Sequence, residues 1–273
     1  MKERWGSRLA GELGQAWAIM AKDVRVYYCQ PPMLMFGLLM PLFIFLSFSV
    51  RRELGADMSI AQLLTIVTFF TASSTGPVII PLERRERTYD RLLTAPISLW
   101  TLVLGKIAVG VFFATLVSLV PLAIGVAFLG ITLAAIPPIV GSILLATLTF
   151  SGLGVCFASF PGQSVGSIMM PSTLLRWPLL FVSGVFVPID EIAPVWRIVA
   201  YVSPLTYTNE IFQQIFAEPA YVCPYGNIPV HQPTVGRTAA IPLVTSIVVL
   251  AVVAVVFVLL ARWLHYVTRC RGA

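Results

Sequence analysis

The sequence predicts an all-α membrane protein: six transmembrane helices with an N-terminal interfacial helix, a charged helix between two spans, and two short external helices before the last span. Three observations carry this expectation. Hydrophobic residues make up 58% of the 273 and charged residues 11%, where a soluble domain has about 25% charged; the mean hydropathy is +0.90. Six stretches, approximately 33–50, 60–80, 102–129, 139–160, 165–187 and 240–261, are each long enough at about 1.5 Å per residue to cross a hydrocarbon core of roughly 30 Å. The remaining charges crowd between these stretches, and the densest run, Glu83, Arg84, Arg85, Glu86, Arg87, Asp90 and Arg91, puts seven charges into nine positions that must lie in water. A net charge of +6 would also suit nucleic acid, but the basic residues flank the apolar stretches, so membrane orientation explains them better.

The chain reads as one membrane domain over 1–273. In the N-terminal part, 1–32, Leu9, Leu13, Trp17, Met20, Val24 and Tyr27 recur every three or four positions, with Arg8, Glu12, Gln15, Lys22, Asp23 and Arg25 on the remaining positions. That is an interfacial helix whose Trp17, Tyr27 and Tyr28 suit the headgroup layer; Pro31-Pro32 ends it. No short apolar core of a cleaved signal is expected there.

The spans from 33 to 187 follow. Pro41, Pro77, Pro121, Pro171 and Pro178 lie inside them, where proline kinks a helix without breaking it. Thr71 to Gly76 in the second span, and Ser151, Gly152 and Gly154 in the fourth, are patches of small residues that read first as packing surfaces. Thr71 and Ser74 remain candidate contacts along a substrate path. Between the second and third spans, residues 82–96 predict a short amphipathic helix with Leu82, Tyr89, Leu92 and Leu93 near one face, Glu83 paired to Arg87 one turn on, and an end at Pro96. Its plainer reading is a basic juxtamembrane helix resting on anionic lipid.

Arg176 sits near the middle of the fifth span, and none of the twelve acidic residues lies inside a span to pair with it. A charge there costs about 2.5–3.5 kcal/mol on insertion scales, so something polar must meet it. The alternatives are an anionic or polar group of a substrate, or carbonyls freed near Pro171 and Pro178.

In 188–239, Val195, Trp196, Ile198, Val199 and Val202 stripe a helix too short to cross, and Ser203 caps another with Pro204 at its first position. Glu210 and Glu218 are expected as polar surface. Pro219, Pro224, Pro229 and Pro233 with Gly226 and Gly236 mark an external loop, and His231 in it is expected to be solvated. In 240–273 a Val-rich span ends in Arg262, Trp263, His265, Tyr266, Arg269 and Arg271, an interfacial belt.

With six spans both termini share one side. That side would carry most of the arginines and lysines, with Lys106 snorkelling toward it, so both termini are expected in the cytoplasm of a multi-pass cell-membrane protein. Arg51 and Arg52 are the local exception. Cys29, Cys156, Cys223 and Cys270 form no CxxC or Cys/His cluster, and with Cys223 alone outside no intramolecular disulfide is expected.

The run Glu83-Arg84-Arg85-Glu86-Arg87-Thr88-Tyr89-Asp90-Arg91-Leu92-Leu93, followed by Thr94, Ala95, Pro96, Ile97 and Ser98, resembles the first cytoplasmic loop of exporter permeases of the ABC type two family. The resemblance implies that 82–96 is a coupling helix contacting a separate ATPase subunit through Glu83, Arg84, Arg85, Glu86, Arg87, Thr88, Asp90, Arg91, Leu92 and Leu93. Arg87 stands where many members have glycine. A second stretch, Ser183-Gly184-Val185-Phe186-Val187-Pro188 and then Ser203-Pro204-Leu205-Thr206-Tyr207, is similar to the same family's Leu-Ser-Gly-x-Phe-x-Pro and Pro-Leu-Thr-Tyr motifs. It implies two re-entrant helices that plug the outer half of the path, with Ser183, Gly184, Phe186, Pro188, Pro204, Leu205, Thr206 and Tyr207 as gate residues; an ordinary surface hairpin is the alternative. The N-terminal helix would be the family's elbow helix beside the ATPase and the lipid surface, with a plain membrane anchor as the alternative.

Catalytic motifs are missing: there is no HExxH, GxSxG or GxGxxG and no metal-spaced His/Cys set, and Gly162-Gln163-Ser164-Val165-Gly166-Ser167 lacks the lysine of a phosphate loop. No catalytic or metal residue is expected, and the chain has no cofactor of its own; ATP and Mg would be bound by the partner ATPase. The expected function is the permease of an ATP-driven exporter that dimerises with a second copy, or with a related permease, around a drug-like or amphipathic substrate. Membrane lipid is a partner and nucleic acid is not. Export of polysaccharide or lipid-linked glycan is the nearest alternative. An ion-coupled transporter would need acidic or His residues in the spans, and an intramembrane enzyme a nucleophile and base at membrane depth; the spans offer neither.

Overall fold

The computed structural model describes residues 2–27, 35, 39–49, 56–88, 98–129, 135–160, 164–187, 189, 193–217 and 241–271. Over these the chain forms nine helices: α1 (Lys2–Tyr27), α2 (Met40–Ser49), α3 (Ala56–Arg85), α4 (Leu99–Leu129), α5 (Ile136–Ala158), α6 (Val165–Val182), α7 (Pro194–Val202), α8 (Pro204–Ala217) and α9 (Leu243–Arg271). Among the described residues there is no strand. Five helices, α3, α4, α5, α6 and α9, are long and apolar enough to cross a membrane, and each falls on an expected span. Of the first expected span, 33–50, the described helix is Met40–Ser49, 10 residues or about 15 Å, half of a hydrocarbon core.

Helix α3 is the hub. Its residues 60–81 are buried throughout, and it packs against α5, α4, α8 and α6. A helix so rich in Thr and Ser survives away from water because its hydroxyls donate back to carbonyls one turn earlier: Thr65 to Ala61, Thr68 to Leu64, Ser73 to Phe69 and Thr75 to Thr71. The small residues are packing surfaces, as expected. A Cβ on Gly76 would stand 2.6 Å from the Gly154 carbonyl, and one on Gly154 would stand 2.7 Å from Ser73 O, so α3 and α5 cross backbone to backbone. Above and below this crossing the core fills with large side chains, Phe69 meeting Phe150 edge to face at 5.0 Å and Leu64, Ile143, Phe212 and Leu250 closing around them.

The outer helices differ. Only 28% of the apolar window of α6 and 17% of that of α9 is buried, because their long Leu, Met and Val side chains, such as Met170, Leu174 and Val244, point outward. Helices α7, 9 residues, and α8, 14 residues, are too short to cross at about 1.5 Å per residue. They meet at Ser203, whose Oγ accepts from Leu205 N at 3.3 Å and caps α8 as expected.

One boundary is corrected. The charged run does not start a new helix at Leu82: α3 continues through Arg85, 30 residues in all, and turns at Glu86 and Arg87. Proline at 81 does not stop it, since a buried helix edge compensates the lost hydrogen bond. Arg87 has φ 55°, the left-handed conformation that glycine adopts without cost; this is the position where the resembling family often has glycine. Residues 89–97 lie outside the described residues.

Candidate functional site

The charged end of α3 builds a polar site shared by three helices. Glu83, expected to face water and pair with Arg87, instead points inward and is fully buried. It accepts from Lys22 of α1 and ion-pairs with Lys106 of α4. Asp23, also fully buried, lies 2.9 Å from Lys22 and 2.6 Å from Lys106. Two cations and two anions thus close a neutral ring across three helices. Asp23 Oδ1 and Glu83 Oε2 meet the ammonium groups at ion-pair distance but outside hydrogen-bond geometry, so Coulomb attraction in a low-dielectric setting carries those two contacts.

The ring is sealed on three members; only Lys22 keeps a 40% exposed side chain. Lys106 therefore does not snorkel to water, as the sequence suggested, because two carboxylates meet it inside. Burial by itself would lower the Lys22 pKa, but the hydrogen bond to Glu83 and the charges of Glu83 and Asp23 outweigh it and raise the value above 10.5. A raised lysine pKa means its contribution is complete below pH 10.5 and is lost only as pH climbs through the raised value. Removing one member alone would strand a buried charge, at about 3–5 kcal/mol.

Around the ring, Arg84 Nη1 donates to Phe160 O at 3.0 Å, tying α3 to the end of α5, and Thr88 Oγ1 donates to Glu83 O at 3.3 Å. Arg85, Glu86 and Arg87 are exposed. Ser98 caps α4, its Oγ accepting from Thr101 N at 3.1 Å. Asp90, Arg91, Leu92 and Leu93 lie outside the described residues. The sequence placed Lys22 and Asp23 on a solvent-facing side of α1; the readable signal was Lys106, a lone charge in an apolar span that needed a partner.

Arg176 is fully buried between α6 and α3. Its Nη1 donates to Ser74 Oγ at 2.9 Å, its Nη2 donates to Ser73 O, and its guanidinium lies 6.0 Å from the Phe157 ring centre. The structure thus joins two of the three expected path residues, Arg176 and Ser74, inside one chain; the carbonyl comes from Ser73, not from the turns near Pro171 and Pro178. Thr71 is buried one turn away on α3.

The outer residues also converge. Ser183 ends α6, its Oγ donating to Leu180 O at 3.0 Å, and Gly184 follows with φ 80°. Asn209 Nδ2 donates to Gly184 O at 3.3 Å, and Thr65 Oγ1 lies 3.4 Å from Asn209 Oδ1, so α8 is pinned to both α6 and α3. Thr206 Oγ1 and Tyr207 OH donate to Ala200 O and Tyr201 O, each at 2.6 Å, which folds α8 back on α7. Phe186 and Leu205 are buried and Pro204 opens α8; Pro188 lies outside the described residues. Two expectations are corrected here. Glu210 is buried rather than surface, next to a Gln214 that donates to it at 2.9 Å and to Ile241 O at 2.7 Å, and His265 is buried rather than in the exposed belt of Trp263 and Tyr266. Helix α8 has no exposed residue over 204–216, and His265 falls on the covered side of the otherwise mostly exposed α9.

A helical bundle with five apolar helices of spanning length defines an integral membrane protein. Residues 14–217 match the family model described as ABC-2 type transporter, well over half of the chain, which therefore belongs to that family. The chain is similar to the "Probable multidrug ABC transporter permease YbhR" of Escherichia coli K12, 24% identical over 169 residues, 59% of this chain and 44% of that protein. It is also similar to the nodulation protein J of Rhizobium meliloti, 28% identical over 59% of this chain and 60% of the relative, and of Rhizobium leguminosarum bv. trifolii, 30% identical over 61% and 62%. The aligned part covers less than two thirds of each relative.

Proposed function

We propose that this protein is the permease subunit of an ATP-driven exporter, working as a dimer and powered by a separate ATPase that docks on the cytoplasmic turn after α3. The observation that carries the reading is the exposed Arg85-Glu86-Arg87 turn at the foot of a helix buried over its whole apolar length, in a chain of the ABC-2 type transporter family. Any force applied at that turn reaches the centre of the bundle. The substrate is drug-like or amphipathic; the name of one relative, a probable multidrug permease, supports this, as do spans dotted with Ser and Thr. The paired short helices α7 and α8 form the outer gate. The path runs between the two copies along the poorly buried α6, and both termini lie in the cytoplasm.

Glu83 drops out as a direct contact with the ATPase because it is buried in the ring, so the test moves to the exposed turn. The chain is co-expressed with the Walker-motif ATPase of a neighbouring reading frame and purified through a tag on the permease. Arg85→Glu with Arg87→Glu is expected to cut co-purified ATPase about tenfold, about 1.4 kcal/mol, with membrane insertion unchanged. An undiminished complex, or transport in proteoliposomes driven by a proton gradient with no ATPase present, would overturn the reading.

A further inference from the structure

The four-charge ring does more than neutralise buried groups. Glu83 lies five residues before Thr88 and Lys106 seven residues after Leu99, so the Glu83–Lys106 pair closes the base of the loop that joins α3 to α4. Asp23, held by Lys106, and Lys22, held by Glu83, fasten α1 to the same point. Arg84 adds the end of α5 through Phe160 O. The two helix ends that the loop joins, and α1 beside them, are thus locked together.

We infer that Lys22, Asp23, Glu83 and Lys106 are positioning residues for energy coupling: their ring makes α1, the foot of α3 and the start of α4 move as one body when the loop is pushed. The inference rests on the proposed docking of an ATPase at that loop. Without the ring, a push on the loop would spread the two helix ends and slide past α1. With it, displacement passes undivided into α3, whose backbone contact with α5 at Gly76 and Gly154 hands it to the rest of the bundle. The choice of ionic ties fits this task. Apolar packing tolerates sliding, whereas charge pairs at hydrogen-bond distance have one register, and the contacts here join residues 61 and 83 positions apart. Lys22, the one partly exposed member, is where water can enter and where the ring would open first.

The test uses the full chain with its ATPase, the native cysteines replaced by serine, and nitroxide labels at Trp17→Cys on α1 and Leu104→Cys near the start of α4, both exposed positions outside the docking turn. Electron–electron distances are measured with and without ATP and vanadate. The unaltered ring should give one narrow distance that nucleotide does not change. Glu83→Gln with Lys106→Met keeps the site neutral; it should at least double the width of the distribution, a signature of local opening, and let nucleotide shift the mean by several ångströms while ATP hydrolysis continues. Lys22→Met with Asp23→Asn, which spares the base of the loop, should do the same to a smaller degree.

A narrow, nucleotide-independent distance in both neutral-pair variants would overturn the inference. So would failure of both variants to accumulate in the membrane, since the ring would then serve folding alone. Should the unaltered chain bring down no ATPase, the proposed function fails at that step, and the widths without nucleotide still decide whether the ring is what holds α1 to the start of α4.

Discussion

Two buried cationic sites in this molecule solve the same problem in opposite ways. At the charged end of α3 Lys22 and Lys106 are matched one for one by Asp23 and Glu83. In the bundle interior Arg176 is held by a serine hydroxyl, a backbone carbonyl and an aromatic face. The difference follows from depth and from chemistry. Near the surface, where four helix ends converge, carboxylates can be carried in at modest cost, and a compact ammonium then needs them as point counter-charges. At depth each added carboxylate is expensive, and a planar guanidinium can spread its charge over neutral acceptors. The first site is therefore rigid and brittle, the second adaptable.

That contrast can be broken most sharply at Lys106. Lys106→Met should destabilise the protein by about 3–5 kcal/mol, seen as a large fall in the detergent-solubilised unfolding midpoint, and adding Glu83→Gln should recover most of it. A Lys106→Met protein as stable as the parent would show that the ring is not a matched set. Next in size is the helix crossing that both sites lean on: Gly154→Val forces a side chain against the Ser73 backbone and should cost about 1–3 kcal/mol, and because Ser73 O also receives Arg176, it should loosen that site as well. Thermal unfolding of the variant alone and combined with Arg176→Met gives the coupling energy, and strict additivity would count against the shared carbonyl.

Arg176→Met itself should stay within about 1 kcal/mol of the parent, since replacing a buried charge by an apolar side chain of similar size is often neutral. A loss as large as that of Lys106→Met would erase the distinction between the sites. The smallest effect is expected at the turn. Arg87→Gly should change stability by less than about 1 kcal/mol, the gain from relieving a left-handed backbone offsetting glycine's entropy, whereas Arg87→Val should cost about 1–2 kcal/mol. Equal midpoints for the two variants would contradict the observed φ.

Much of the fold was legible in the sequence because hydropathy is local. Each span could be read from its own residues, the cap at Ser203 and the crossing patches around Gly76 and Gly154 followed from residue type, and the positions of Ser183 to Tyr207 could be carried over from a resemblance. The partner of Glu83 could not. Helical spacing offered Arg87, four residues on, and nothing within the run revealed that Lys22 and Lys106 would arrive first. Glu210 and His265 were misread for a related reason: a polar residue on a helix read as peripheral looks exposed until a neighbouring helix covers it.

By itself, then, the sequence determined a helical membrane protein of the ABC-2 type, five stretches long and apolar enough to cross, and where the charges crowd, because transfer from water to lipid depends on composition segment by segment. Only the tertiary structure decided which charges meet, that α3 runs unbroken into the charged run, and that Arg176 rests on Ser73 and Ser74. Those outcomes depend on the packing of helices far apart in the chain, where a few ångströms separate a paired charge from a stranded one.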